Sequence, residues 1–208
     1  MTIQELYAAL TADYEANLLP PPVISSEKPQ RTWERVLVFG EGNRNHAPIL
    51  LIGEAPGKDE TIQRRLFVGK AGKNLDEFLQ AVELKREDIW ITNVVKVRPM
   101  TVSPKGTVSN RPPDKKLLAF FTPYLHREVE ELAPRLIVTL GNTALHAMAG
   151  DKVNIGETHG RVMETEKGRL FPLYHPASVI YNRALAEVYQ DDLVRLKKVL
   201  DEENAASV

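Results

Sequence analysis

The chain has 208 residues, 43% of them hydrophobic, and a formal net charge of −1. That length supplies one domain core without staples, and the balanced charge gives no whole-molecule field for nucleic acid, leaving only a locally basic face. Cysteine is absent, which excludes disulfides, thiolate zinc sites, iron–sulfur ligation and cysteine nucleophiles, and the five scattered histidines have no metal-ligand spacing.

Thr2 and Glu5 have capping-box spacing, and Leu6, Leu10 and Tyr14 recur at helical intervals, predicting a helix over 2–18 that Pro20-Pro21-Pro22 ends. Residues 20–34 read as irregular, and Val36 to Phe39 as a short strand or extended lead-in. Ile49 to Ile52, bounded by Pro48 and Gly53, reads as a strand buried on both faces of a parallel sheet. Leu75, Phe78, Leu79 and Val82 share one helical face over 69–82, and residues 89–95 are β-rich. Residues 98–113, rich in proline, read as an unusually long loop. A helix over 113–133, a strand over 136–140, a short helix over 141–148, a strand over 170–174 and a helix over 185–200 complete the chain. Strands alternating with helices predict a single α/β domain with a parallel sheet between helix layers, the core over 35–200 and a helix and linker over 1–34. With no apolar run near the roughly 20 residues that span a bilayer and no signal-peptide order, a soluble cytoplasmic protein without membrane contact is expected. No heptad or apolar patch is evident, so a monomer is expected.

Three strand ends deliver polar residues into loops: Glu54 with Glu60, Asn93, and His175. In open α/β sheets ligands bind beyond the carboxyl ends of the strands, so the Gly53-Glu54-Ala55-Pro56-Gly57 turn aims backbone N–H groups and a carboxylate at a ligand. The ordinary reading of each residue alone is a turn former, a loop cap or a solvated charge; their joint placement is what points to a site. Gly53 to Lys58 is not a phosphate loop, because three residues stand where that motif has four and Asp59 replaces its Ser or Thr. Gly69 to Lys73 suits the start of a helix, either a plain tight turn or one whose N–H groups and lysines hold a phosphate.

V-F-G-E-G-N (38–43), G-E-A-P-G-K-D-E (53–60), F-V-G-K-A-G (67–72), I-T-N-V-V-K-V-R-P (91–99), N-R-P-P (110–113), V-T-L-G (138–141) and Y-H-P-A-S (174–178) occur in this order. Together they resemble the family 4 uracil-DNA glycosylases over residues 35–200. The resemblance implies a three-layer α/β/α sandwich with a central four-stranded parallel sheet. It further implies hydrolysis of the N-glycosidic bond of uracil in single- or double-stranded DNA, without a metal. Carried over, Phe67 stacks on the flipped base, Asn93 reads its Watson–Crick edge, His175 faces uracil O2, Ala55 lies beside the base, and Pro56 and Gly57 complete the turn. Glu54 and Glu60 match acidic positions serving water and the sugar cation; which does so stays open, with Glu54 ranked first because it directly follows the strand.

Each role has a physical basis. Stacking on an aromatic face recovers roughly 1–3 kcal/mol for an extruded base. A carboxamide held in one orientation accepts from uracil N3–H and donates to O4, a pattern cytosine reverses. Phosphate contacts are expected from Lys58, Lys70, Lys96, Arg98, Asn110 and Arg111 and from N–H groups at Ala177 and Ser178, although loop lysines and arginines are usually simply solvated. Val179 and Ile180 suit either an apolar wedge into the DNA or core packing. Tyr181 stands where the family commonly has a basic residue.

Family 4 enzymes hold a [4Fe–4S] cluster on four cysteines, and the corresponding positions here fall near Ser25, Lys28, Val97 and Phe121. No such cofactor is expected, since these clusters need thiolates, and apolar packing of Val97 and Phe121 would instead tie loop to helix. Two other readings compete: a silent DNA- or uracil-binding member of the superfamily, and a glycosylase for another deaminated base such as hypoxanthine.

Overall fold

In the computed structural model the first helix, α1 (Ile3–Asn17), is capped as the Thr2/Glu5 spacing predicts. Glu5 N–H donates to Thr2 Oγ1 at 3.2 Å and Thr2 N–H donates to Glu5 Oε2 at 2.8 Å, satisfying donors that the first helical turn otherwise leaves unpaired. The structure describes residues 1–206 except Ile24, Ser25, His46 and Arg183, with Ala71, Ala177, Ile180, Tyr181 and Ala206 described by backbone only. There follow β1 (Gln30–Trp33), β2 (Glu41–Gly42), β3 (Ile49–Gly53), α2 (Lys58–Gln63), α3 (Gly69–Ala81), β4 (Trp90–Asn93), β5 (Pro99–Val102), β6 (Val108–Asn110) and α4 (Lys115–Leu132). The chain continues through β7 (Leu136–Leu140), α5 (Gly141–Ala149), α6 (Ile155–Thr158), β8 (Met163–Thr165), β9 (Gly168–Leu173), α7 (Pro176–Tyr181) and α8 (Ala184–Ala206).

The expected parallel centre is present as β4-β3-β7-β9, and antiparallel β2 and β8 extend it at either edge to six strands. Alternate residues of β3 face different helix layers, the period-2 consequence of a pleated strand. Leu50 and Ile52 pack in a cluster with Leu6 and Leu10 of α1 and Leu117, Phe121 and Leu125 of α4. Ile49 and Leu51 pack with Leu75 and Phe78 of α3 and Leu193 and Leu196 of α8. The four β3 residues are completely buried, each contributing about 1.5–3 kcal/mol over exposure. Burial on both faces forces every functional group of this sheet to its strand ends.

Residues 98–113 are not an irregular loop. β5 and β6 form an antiparallel hairpin, and β1, inside the stretch expected to be irregular, adds to β5 to make a separate three-stranded sheet. Proline is tolerated because Pro99 opens β5 and Pro104 lies in the turn, where Gly106 adopts φ +80°. Val36 to Phe39 is an extended lead-in rather than a strand, held by the Val38 N–H donating to the Lys96 carbonyl at 2.8 Å.

Candidate active site

Parallel pairing sets Gly53 beside Asn93 in register, so β3 and β4 end together. A Cβ on Gly53 would lie 2.3 Å from Asn93 Oδ1 and 3.0 Å from Phe67 Cζ, so the missing side chain is what lets amide and ring converge. Beyond β7 the chain turns through Gly141, at φ +82°, where a Cβ would lie 3.1 Å from His175 Cβ. These strand ends enclose a cavity of about 410 Å³ whose lining includes Glu54, Ala55, Phe67, Asn93, Asn110 and His175. A larger open groove of about 1030 Å³ lies between α4, α5 and β8, away from most of these groups.

The two glutamates do different things. Glu60 is buried, and its oxygens accept from Gly57 N–H at 3.1 Å and Val68 N–H at 3.2 Å. It reaches back as the third residue of α2 to the backbone before that helix, and so ties the Gly53–Gly57 turn to the Phe67 loop. Glu54 instead receives the Thr143 hydroxyl at 2.5 Å. Thr143 was not singled out from the sequence, although β7 neighbours β3 and its following helix must therefore start beside Glu54. Burial lowers the His175 pKa below the usual imidazole value, with the Glu54 carboxylate opposing that shift. The imidazole is consequently neutral at pH 7 and carries one N–H.

Phe67 has φ +49°, a left-handed conformation that costs a non-glycine residue about 1–3 kcal/mol. Arg86 stabilises it: Nη1 donates to the Phe67 carbonyl at 3.2 Å and Nη2 to the Leu66 carbonyl, while the guanidinium pairs with Glu41. Nothing local to Phe67 signals this contact, because Arg86 lies nearly twenty residues on.

One of the expected phosphate contacts is overturned, and two others are drawn inward. Lys96 is completely buried in an ion pair with Glu128 at 2.7 Å. Arg98 is buried, donating to Asn110 Oδ1 at 2.7 Å and facing Glu34 at 3.5 Å. Arg111 donates to the carbonyls of Met100, Pro112 and Thr32 and to Asp114, clasping the hairpin to β1 and to the start of α4. Lys96, with all three protons spent on internal acceptors, has none to offer a phosphate at the surface, whereas the two guanidiniums are drawn toward internal partners that use only part of their five N–H groups. Ser178 N–H is likewise engaged, donating to the His175 carbonyl at 2.8 Å. Lys58 and Lys70 are exposed and line the cavity, whereas Pro56 is buried beside it. Ala177 and Ile180 lie on α7 with side chains outside the described residues, and Val179 packs against the core.

Of the four positions corresponding to family cluster ligands, Val97 and Phe121 are completely buried in one apolar cluster, Lys28 is exposed and Ser25 lies outside the described residues. Two hydrocarbon side chains and an ammonium are no donor set for iron, so the residues present do not fit the group. Among the described residues no helix is long and apolar enough to cross a membrane.

The family model described as the Uracil DNA glycosylase superfamily matches residues 39–197. A type-4 uracil-DNA glycosylase of Saccharolobus solfataricus is 37% identical over 172 residues, covering 78% of this chain and 76% of the relative. Its counterpart in Archaeoglobus fulgidus is 37% identical over 167 residues, covering 76% and 79% respectively. That of Thermotoga maritima is 34% identical over 171 residues, covering 80% and 84%.

Proposed function

From the premise that this chain belongs to the uracil DNA glycosylase superfamily, we propose that it hydrolyses the N-glycosidic bond of deoxyuridine in DNA, releasing uracil and leaving an abasic site. The observation that carries this reading is the convergence of Phe67 and Asn93 over Gly53 in a cavity that Glu54 and His175 also line. At about 410 Å³ the cavity is in the range of small-ligand sites, about 300–1,000 Å³.

The base is extruded from the DNA and stacks on Phe67 while the Asn93 carboxamide pairs with N3–H and O4. As the C1′–N1 bond breaks, its electron pair leaves with uracil, and the neutral His175 N–H donates to the charge developing on O2, worth roughly 2.7–4 kcal/mol for a well-placed donor. Water bonds to C1′, its proton passing through Glu54 to solvent, which reprotonates the uracil anion. Assignment of water to Glu54 is supported by the engagement of both Glu60 oxygens with backbone N–H groups and by the Thr143 hydroxyl orienting Glu54.

The exposed Lys58 and Lys70, with Asn110 at the cavity, contact the phosphates, and the Ala177–Ile180 segment follows the strand past the extruded base. The protein acts on single- or double-stranded DNA as a cytoplasmic monomer. Buried packing of Val97 and Phe121 stands in for the cluster that ties loop to helix in the family. The test is release of base from oligonucleotides carrying uracil, hypoxanthine or cytosine, in single and double strands. Uracil release strongly slowed in both Asn93→Ala and His175→Ala, to a residual rate measurable in single turnover, is the expected result. Preferential release of hypoxanthine, or DNA binding without any release, would replace this reading.

A further inference from the structure

Lys96 follows Asn93 by three residues and places all three ammonium protons inside the protein. It donates to Thr92 Oγ1 at 2.5 Å, to the Asn93 carbonyl at 2.8 Å and to Glu128 Oε2 at 2.7 Å. Glu128, equally buried on α4, also accepts from Trp90 Nε1 at 2.9 Å, Thr92 Oγ1 at 3.2 Å and the Tyr7 hydroxyl at 2.6 Å. The Tyr7 hydroxyl in turn accepts from Gly40 N–H at 3.0 Å. A network linking α1, β4 and α4 therefore ends on one peptide carbonyl, that of Asn93.

Desolvation cancels most of the attraction within a buried ion pair, so such a pair contributes little net stability over apolar residues of the same volume. Its consequence here is geometric. The β3–β4 register ends at Gly53 and Asn93, the next two N–H groups, of Val94 and Val95, still donate to the Gly53 and Glu54 carbonyls at 2.9 and 3.0 Å, and the Asn93 carbonyl on the other edge of that peptide takes its donor from Lys96. The Asn93 side chain leaves the same residue toward Gly53, with so little clearance that a single methyl there would collide with Oδ1. The Asn93–Val94 peptide is thus held at two points, its N–H by the Gly53 carbonyl and its carbonyl by Lys96, and loss of the second leaves it able to tilt about the first and carry the amide with it.

We infer that Lys96, held in place by Glu128, is a positioning residue that fixes the peptide carrying the base-reading amide of Asn93. Lys96 does not line the cavity and acts only through Asn93, in contrast to the phosphate contact its sequence position suggests. The inference rests on the glycosylase reading above and assigns the network to the rate of base release, not to DNA affinity.

The experiment measures single-turnover uracil release and oligonucleotide affinity for Lys96→Met and for Lys96→Met/Glu128→Gln, each made with Asn93 intact and with Asn93→Ala. The paired substitution removes both buried charges and keeps the test readable if Lys96→Met alone fails to fold, as judged by near-ultraviolet dichroism. With Asn93 intact, release is expected to slow about tenfold or more while affinity changes by less than about threefold. With Asn93→Ala, the same substitutions should slow the residual rate by less than about twofold, because the group they position is gone. Equal losses in both backgrounds, or an unchanged rate, overturn the inference alone. A parent protein that releases no uracil overturns the proposed reaction and the inference with it.

Discussion

Asn93 and Phe67 converge on one cavity from differently built supports. The Asn93 carbonyl is held by an ammonium and counter-carboxylate that are both 0% exposed, whereas the Phe67 carbonyl is held by Arg86, 22% exposed, paired with Glu41, 36% exposed. Water and salt reach the second support and not the first. The Asn93 side of the cavity therefore rests on a dry support, and the Phe67 side on one that solvent can weaken.

The largest effect should come from breaking the dry support. Glu128→Leu, with Lys96 kept, strands a buried ammonium and should destabilise the fold by about 3–5 kcal/mol in urea unfolding. Next is Thr143→Val, which removes the hydroxyl bond to Glu54. At about 1.5–3 kcal/mol for a bond to a charged group, kcat should fall about 10- to 100-fold with KM little changed.

Arg86→Ala should lower the rate of base release about tenfold by releasing the Phe67 loop, with a smaller loss of stability than Glu128→Leu. A pH titration tests the buried imidazole. The folded-state pKa of His175 lies below its ordinary value through burial, so the unfolded chain binds the proton more readily. The contribution of the neutral form to stability is then fully present above about pH 6.5 and is lost as pH falls from there through the folded pKa. His175→Gln should remove that part of the slope. The smallest effect is that of Glu41→Gln, under about 1 kcal/mol for a partly exposed pair, and it should vanish near 1 M salt, where the screening length is about 3 Å. Persistence of that cost in salt would make the two supports alike and end the distinction between them.

Much of the fold was legible because its signals are local. The Thr2/Glu5 box, the apolar runs of β3 and β7 and the stripes of α3 and α4 each reflect the period of one element against one core. The strand-end positions of Glu54, Asn93 and His175 followed from the same reading, since a doubly buried strand can present polar chemistry only where it stops. The β5–β6 hairpin escaped because its prolines have the composition of a loop, and β1 escaped because its partner β5 lies nearly seventy residues further on.

From its sequence alone the chain determines where the four central parallel strands fall along it, the family motifs and which residues stand at the strand ends, because hydrophobic period and turn chemistry act over a few residues. Only the tertiary structure decided that Lys96, Arg98 and Arg111 turn inward, that Thr143 orients Glu54 and that Arg86 holds Phe67. Each of those contacts joins side chains from separate elements, and whether a charge meets water or a buried partner depends on what folding brings beside it.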